Sequence, residues 1–351
     1  MIAKALQSRR HPILAQIVPI RRCNLACGYC NELDKASAPV PLAAMLSRID
    51  RLAALGTAMI DLSGGEPLLH PDLDDIVRRI RSHDMFAGLL TNGYLLTRER
   101  IRRLNRAGLD RLQISIDNVT PDTTSHKSLD VLGQRLRWLA SDAEFDVNIN
   151  TVLGASVGHP ADALCIAERA LSLGFGTSVG LIHDESGRSV ALHPQHRKVY
   201  EQLQGLARSF YSHAHDRLFQ ENLIKGAPND WRCGAGARYL YVCEDGLVHW
   251  CSQQRGYPGI PLERYGLADL DREYHSVKPC APRCTVSCVH RVALVDAIRE
   301  RPLETLEKLA AADRAASRQP QGTVKILTWM FVTNPWREWF RQVAIRALRA
   351  G

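Results

Sequence analysis

The 351-residue chain predicts an α/β protein: a partial (βα)6 barrel of the TIM type, then a small cysteine-rich unit and a C-terminal amphipathic helix. Three observations carry this. Between residues 13 and 183, six short runs of β-branched and aliphatic residues alternate with amphipathic stretches. Residues 227–300 lose that alternation and become rich in Cys, Gly and Pro. From Asn334 onward, apolar residues recur at helical spacing.

The strands are expected at 13–20 (ILAQIVPI), 57–63, 87–91, 111–117, 145–153 and 176–182. Helical patterns fill 41–56, 71–84, 97–108 and 160–174; several close on Gly56, Gly108 or Gly174, and Pro41, Pro71 and Pro160 suit helix starts. Repeated strand-then-helix units imply parallel strands with right-handed crossovers, and in such a fold chemistry belongs at the C-terminal strand ends. Residues 191–226 read as a helical bridge, and 227–300 as a module held by metal rather than by a large core. The expected organisation is therefore a barrel over 1–190, a bridge over 191–226, the cysteine-rich unit over 227–300 and a helical tail over 301–351.

The net charge of +8 is not spread evenly. Residues 1–190 hold 22 basic and 21 acidic side chains, 191–300 hold 14 and 12, and 301–351 hold 9 and 4. A balanced body without a recognisable RNA-binding appendage argues against a nucleic-acid partner. No apolar run of about 18 residues suggests a membrane span, and the N-terminus lacks a secretory h-region, so a cytoplasmic location is expected. In that compartment ten cysteines point to metal or redox chemistry rather than disulfides.

The sharpest feature is Cys23-x3-Cys27-x2-Cys30, directly after the first strand. Three thiolates hold three irons of a [4Fe–4S] cube and leave the fourth open to a ligand. A zinc site is the alternative, but the paired C-x2-C halves usual for zinc are missing. The pattern, with Tyr29 preceding the last cysteine, resembles the signature of the radical S-adenosylmethionine (SAM) superfamily. That resemblance implies that the open iron binds the amino and carboxylate groups of SAM, and that an electron from the cluster cleaves the sulfonium to a 5′-deoxyadenosyl radical that abstracts hydrogen. It also implies an adenine contact for Tyr29.

A second motif, Ser63-Gly64-Gly65-Glu66-Pro67, follows the second strand and resembles the family's GGE element, which receives the SAM amino group. Weaker matches are Thr91-Asn92-Gly93, Ser115 and Asp117, and Asn148 and Asn150, at or near the ends of strands three to five. Of these, Asn92, Ser115 and Asn150 are the expected SAM contacts; each is also explicable as a turn former or sheet-edge hydrogen bonder.

Cys233-x12-Gly246-x4-Cys251, followed by Cys280-x3-Cys284-x3-Cys288, resembles the SPASM/twitch extension, which carries auxiliary Fe–S clusters. The sequence departs from the two-cluster pattern: it has two x3 spacings and no cysteine after 288. At least one auxiliary cluster, of [4Fe–4S] type, is expected on Cys233, Cys251, Cys280, Cys284 and Cys288. A zinc-stabilised knob is the alternative. Cys243 reads as either a ligand or a strand residue, Cys165 as a small apolar residue on a helix, and no histidine is assigned.

In the tail, Trp336, Trp339, Phe340, Val343, Ala344, Ala347 and Leu348 form one stripe, with Arg337, Glu338, Arg341, Arg346 and Arg349 opposite. Such a helix (334–350) either docks on protein or makes a peripheral contact with the inner face of a membrane. The expected function is a radical SAM enzyme in peptide maturation or in cofactor or natural-product biosynthesis. It would act on a small-molecule or peptide substrate, with a flavodoxin or ferredoxin-type electron donor. Only 22 residues precede Cys23, so no leader-binding domain is expected there. The competing readings are a radical SAM enzyme acting on a membrane lipid or isoprenoid, and a non-catalytic Fe–S electron-transfer or scaffold protein.

Overall fold

The computed structural model describes residues 8–315 except 31, 33, 124, 155–156, 183–190 and 207–209. The amphipathic tail helix expected at 334–350 lies outside the described residues, and with it the membrane contact. Among the described residues no helix is long and apolar enough to cross a membrane.

Six strands alternate with helices as the hydrophobic pattern requires: β1 (Leu14–Ile20), α1 (Leu42–Ala54), β2 (Met59–Gly64), α2 (Leu73–Ser82), β3 (Phe86–Thr91), α3 (Arg98–Ala107), β4 (Arg111–Ser115), α4 (Leu129–Asp142), β5 (Asp146–Leu153), α5 (Asp162–Ser172) and β6 (Gly176–Leu181). Helices α6 (Pro194–Gln204), α7 (Phe210–His215) and α8 (Glu221–Ile224) lead to β7 (Tyr239–Val242), β8 (Leu247–His249) and β9 (Pro258–Pro261). Then come α9 (Leu267–His275), α10 (Ser287–Glu300) and α11 (Pro302–Ala315).

Among the described residues, nine strands belong to one sheet, ordered β6-β5-β4-β3-β2-β1-β7-β8-β9. Strands β1 to β6 run parallel, β7 adds parallel to β1, and β8 and β9 return antiparallel. The cysteine-rich segment thus extends the sheet of the preceding βα units. Its hairpin, legible as EDGLVHWC, turns between β7 and β8, with Gly246 N donating to Cys243 O at 3.0 Å.

Alternation along each strand sorts the two faces. Ala15, Ile17, Ile60, Leu62, Ala87, Leu89, Leu112 and Ile114 pack with Met45, Ile49, Ile76, Ile80, Ile101, Leu104, Leu132 and Leu136 of α1 to α4 in one apolar core. The intervening positions face the other way and are mostly polar: Gln16, Asp61, Arg111, Gln113, Ser115, Asn148, Asn150 and Ser178. On the β1 and β7 side this inner face is covered by α10, whose Val289 and Val292 join Leu14, Val18, Tyr239, Tyr241, Cys233 and Cys251 in a second core. Burial thus sets where the chain leaves polar groups pointing inward, and the strand ends are where those groups meet the loops.

Candidate active site

The cysteine loop begins three residues beyond β1. It is tied down by hydrogen bonds rather than apolar packing: Cys23 N donates to Asp34 O at 2.9 Å, Cys30 N to Cys27 O at 3.1 Å, and Lys35 Nζ to Leu25 O at 3.0 Å. Leu25 N points at Cys23 Sγ at 3.4 Å, and Cys27 Sγ lies 3.6 Å from Ser125 Oγ. Burial raises the thiol pKa values of Cys23 and Cys30. The charges of Glu66, Cys30 and Cys27 push Cys23 up further, and those of Glu32 and Cys27 do the same to Cys30. Tyr29 turns inward, its hydroxyl donating to Asp117 Oδ2 at 2.5 Å and accepting from Lys127 Nζ at 2.5 Å. Lys127 also pairs with Asp117 at 3.1 Å. Tyr29 and Asp117 line a cleft with Asn118, Ser125, Val152 and Ile182 at the ends of β4, β5 and β6.

The glycine motif packs directly beneath that loop. Gly65 N donates to Ile20 O at 3.1 Å and Glu66 N to Arg22 O at 3.0 Å. A Cβ at residue 65 would lie 2.1 Å from Arg21 O, so only glycine permits this approach, and Gly64 adopts φ +112°. Glu66 is fully buried and gathers the strand ends around its carboxylate. Oε1 accepts from Leu68 N (3.0 Å) and Thr91 Oγ1 (2.7 Å), and Oε2 accepts from Asn92 N (2.8 Å). Burial raises its pKa against these donors. Asn92 completes the link, donating from Nδ2 to Asn24 Oδ1 at 2.8 Å inside the cysteine loop.

Ser115 and Asn150 are register partners on β4 and β5. Asn150 Oδ1 accepts from Ser178 Oγ at 3.0 Å, and Asn148 Nδ2 donates to the same hydroxyl at 2.9 Å. Ser63 Oγ is buried and has no hydrogen-bond partner among the described residues.

The second cysteine field divides. Cys284 is pushed well above the ordinary thiol range by burial and then by the charges of Cys233, Cys251 and Cys280. Cys251, raised to about 12, responds to Cys233 and Cys280, and Cys233, raised to about 11, to Cys280. Each of these thiols thus sits within electrostatic range of others in the set, and Cys233 and Cys251 share one apolar core. Cys288 packs against the core that holds Cys233 and Cys251, and burial raises its thiol to about 11, with Asp61 raising it further and Arg291 and Arg111 opposing. Cys165, expected to be a small apolar residue packed on its helix, is exposed. Position and spacing alone did not reveal Lys127, Asn24 and Glu32, which hold the loop in place. Glu32 accepts from Tyr241 Oη at 2.5 Å and pairs with Arg255. Asn24 reaches Asn92 across 68 residues, Lys127 reaches Tyr29 across 98 and Glu32 reaches Arg255 across 223.

Residues 17–154 match the family model described as the radical SAM superfamily. They form a radical SAM domain. A PqqA peptide cyclase of Gluconobacter oxydans (strain 621H) is 36% identical over 111 residues, 31% of this chain and 30% of that protein. The chain therefore aligns with under a third of that relative's length. In fold, the chain is similar to Streptococcus suis SuiB bound to S-adenosylmethionine, with TM-score 0.57, 13% identity, and coverage of 83% of this chain and 75% of that one. It is also similar to anSMEcpe with bound AdoMet and Cp18Cys peptide, with TM-score 0.55, 14% identity, and coverage of 86% and 100%. These coverages extend the likeness in fold beyond the radical SAM domain into the cysteine-rich segment.

The cofactors of a radical SAM domain are a [4Fe–4S] cluster and SAM, and the residues present fit them. Three thiols share one loop, a glycine cradle that any Cβ would fill lies below it, and the unpaired Ser63 hydroxyl sits at the same strand end.

Proposed function

We propose that the chain is a radical SAM enzyme of peptide maturation. Cys23, Cys27 and Cys30 hold the SAM-binding cluster, and Cys233, Cys251, Cys280 and Cys284 hold one auxiliary cluster. The observation that carries this reading is the placement of both thiol sets on one sheet: the triad loop leaves the end of β1, and the four-thiol set belongs to the segment whose β7 pairs with β1. When bound, the cluster and SAM supply a 5′-deoxyadenosyl radical that takes hydrogen from the substrate. The chain's own residues position and enclose. Glu66 locks the ends of β2 and β3 together, Asn92 fixes the cysteine loop onto them, and Asp117 with Lys127 holds the Tyr29 ring against the cleft.

A peptide substrate is supported by the names of the similar proteins, a PqqA peptide cyclase and a structure carrying Cp18Cys peptide. Oxygen-sensitive thiol sets call for a reducing, cytoplasmic setting and a flavodoxin or ferredoxin-type electron donor. Placing Cys288 outside the auxiliary set narrows the five-cysteine expectation to four ligands, enough for one closed cubane.

The test is anaerobic reconstitution of wild type and a Cys23→Ala/Cys27→Ala/Cys30→Ala variant, with iron and sulfide counted and 5′-deoxyadenosine assayed after dithionite and SAM. The expected result is about eight irons in wild type and about four in the variant, with nucleoside from wild type alone. Zinc in place of the residual iron would remove the auxiliary cluster, and a loaded triad that leaves SAM intact would remove the enzyme reading.

A further inference from the structure

We propose that Cys243, Asp245 and His249, on the hairpin joining β7 to β8, form a binding site for a single divalent cation of the zinc type, separate from both thiol sets. The donor atoms of these residues all lie within 4.8 Å of one another, and Cys243 and His249 are buried while Asp245 faces solvent. Around one tetrahedral ion with bonds of about 2.0 to 2.3 Å, ligand atoms stand roughly 3.3 to 3.8 Å apart, so small side-chain adjustments close this trio on one ion. The cysteine ligands of a [4Fe–4S] cube stand much farther apart, so the trio suits an ion rather than an iron–sulfur cluster.

The hairpin explains how three separated residues meet. Tyr241 pairs with His249 and Val242 with Val248, and Cys243 N donates to Leu247 O at 3.2 Å. Cys243 and His249 therefore lie diagonally on one face across the pair, within reach of each other. Asp245 sits in the turn, with Oδ1 accepting from Leu247 N at 2.9 Å and Oδ2 left to bind. Sulfur, imidazole and carboxylate together match zinc's borderline preference, and a thiolate plus a carboxylate neutralise a divalent charge. The nearby cations are already engaged: Arg255 pairs with Glu32, Arg21 with Glu244 at 3.2 Å, and Arg48 donates to Cys243 O and Glu244 O at 3.2 and 2.8 Å.

One contact must be exchanged. Gly256 N donates to His249 Nδ1 at 2.9 Å, and a neutral imidazole has a single lone pair on nitrogen. Binding through either ring nitrogen releases this hydrogen bond, by direct replacement at Nδ1 or by moving the proton to Nδ1. His249 lies two residues before Cys251, so an ion here would pin the strand that delivers an auxiliary thiol.

The experiment loads holoprotein, reconstituted anaerobically with iron and sulfide, with zinc chloride, passes it over a weak chelating resin, and counts zinc and iron in wild type, Cys243→Ser, His249→Asn and the distant control Cys165→Ser. The expected result is about one zinc per chain in wild type and control, at least a fivefold loss in both hairpin variants, and iron unchanged throughout. Zinc K-edge scattering from wild type should show one sulfur near about 2.3 Å with the remaining ligands nitrogen or oxygen. This readout holds even if the variants fold poorly. No retained zinc in wild type, equal zinc in the hairpin variants, two or more sulfur ligands, or zinc gained only as iron is lost would each overturn the proposal. None of these outcomes depends on SAM cleavage, so it stands or falls apart from the proposed activity.

Discussion

Replacing Gly65 by alanine should unseat the cysteine loop. The added Cβ would lie 2.1 Å from Arg21 O and 2.4 Å from Arg22 O, both backbone atoms of the segment that leads into Cys23. Real Cβ contacts stay above about 3 Å, so the two segments must part by about 1 Å, and no side-chain rotation relieves the clash. Parting them strains or breaks two hydrogen bonds, Gly65 N to Ile20 O and Glu66 N to Arg22 O. At about 1 kcal/mol each, plus about 1 to 3 kcal/mol for overpacking, the expected loss is about 3 to 5 kcal/mol. The damage falls on the triad loop and leaves the four-thiol set in place. Anaerobic denaturant unfolding and iron counting read the two effects together: Gly65→Ala should lose stability and about four irons, while the auxiliary iron stays. Gly158→Ala is the matched control, because a Cβ there meets nothing within 4 Å. Full iron loading with a stability change under about 0.5 kcal/mol would refute the packing argument.

Thr91→Val removes a donor to Glu66 (2.7 Å) and the acceptor of Gly93 N (3.0 Å), so about 2 to 4 kcal/mol should go and triad iron should fall, with Thr91→Ser restoring both. Burial pushes the Asp61 carboxyl up to about 6, outweighing Arg111 and Arg291. A raised carboxyl favours the fold fully below the unfolded value of about 3.9 and loses that contribution as pH rises through about 6, roughly 3 kcal/mol in all. Unfolding curves of wild type and Asp61→Asn should therefore diverge between about pH 4 and 6, and parallel curves would contradict the assignment. Cys284→Ser should lose auxiliary iron whereas Cys288→Ser should keep it; equal losses would return Cys288 to the ligand set.

The strands of the radical SAM domain were legible because every outward position must be apolar to meet a helix, and short alternating runs such as AMIDLS carry that demand in a few residues. Their bounds shift by one or two residues, as at β4, which ends at Ser115 rather than 117. Helix α4 was not singled out, although Leu132, Leu136 and Leu139 mark its buried stripe; Gly133 and the polar stretch before it mask the period. The attachment of the cysteine-rich segment to β1 was not legible either. YLYV is only four residues long, and its partner lies more than 200 residues earlier. The even spacing of Cys280, Cys284 and Cys288 suggested equal roles. The chain changes conformation between the last two, ending a 3-10 turn at Cys284 and starting α10 at Ser287, so equal spacing in sequence does not carry over to equal backbone settings. At the site, Cys23-x3-Cys27-x2-Cys30 and the GGE motif were visible because their chemistry is local. The Tyr29–Asp117–Lys127 arrangement was not, because it forms only when the ends of β1 and β4 come together.

Strand β1 joins the triad loop to the cysteine-rich segment. Its outward residues Ala15 and Ile17 belong to the core shared with the helices, and its inward residues Leu14 and Val18 belong to the core shared with Cys233, Cys251 and α10. Its end opens into the triad loop. A cysteine-rich unit tethered only by a linker would wander relative to the barrel, and the gap between the two sets would be an average over many positions. Pairing β7 with β1 fixes that gap through backbone hydrogen bonds at a strand spacing of about 4.8 Å. Fixed separation matters wherever a substrate must touch one centre while answering to another, since a displacement of about 1 Å already costs much of the benefit of positioning. The sheet register sets Gln16 beside Asp61, Asp61 beside Gly88 and Gly88 beside Arg111, so β1 to β4 carry one polar row on the face opposite the helices.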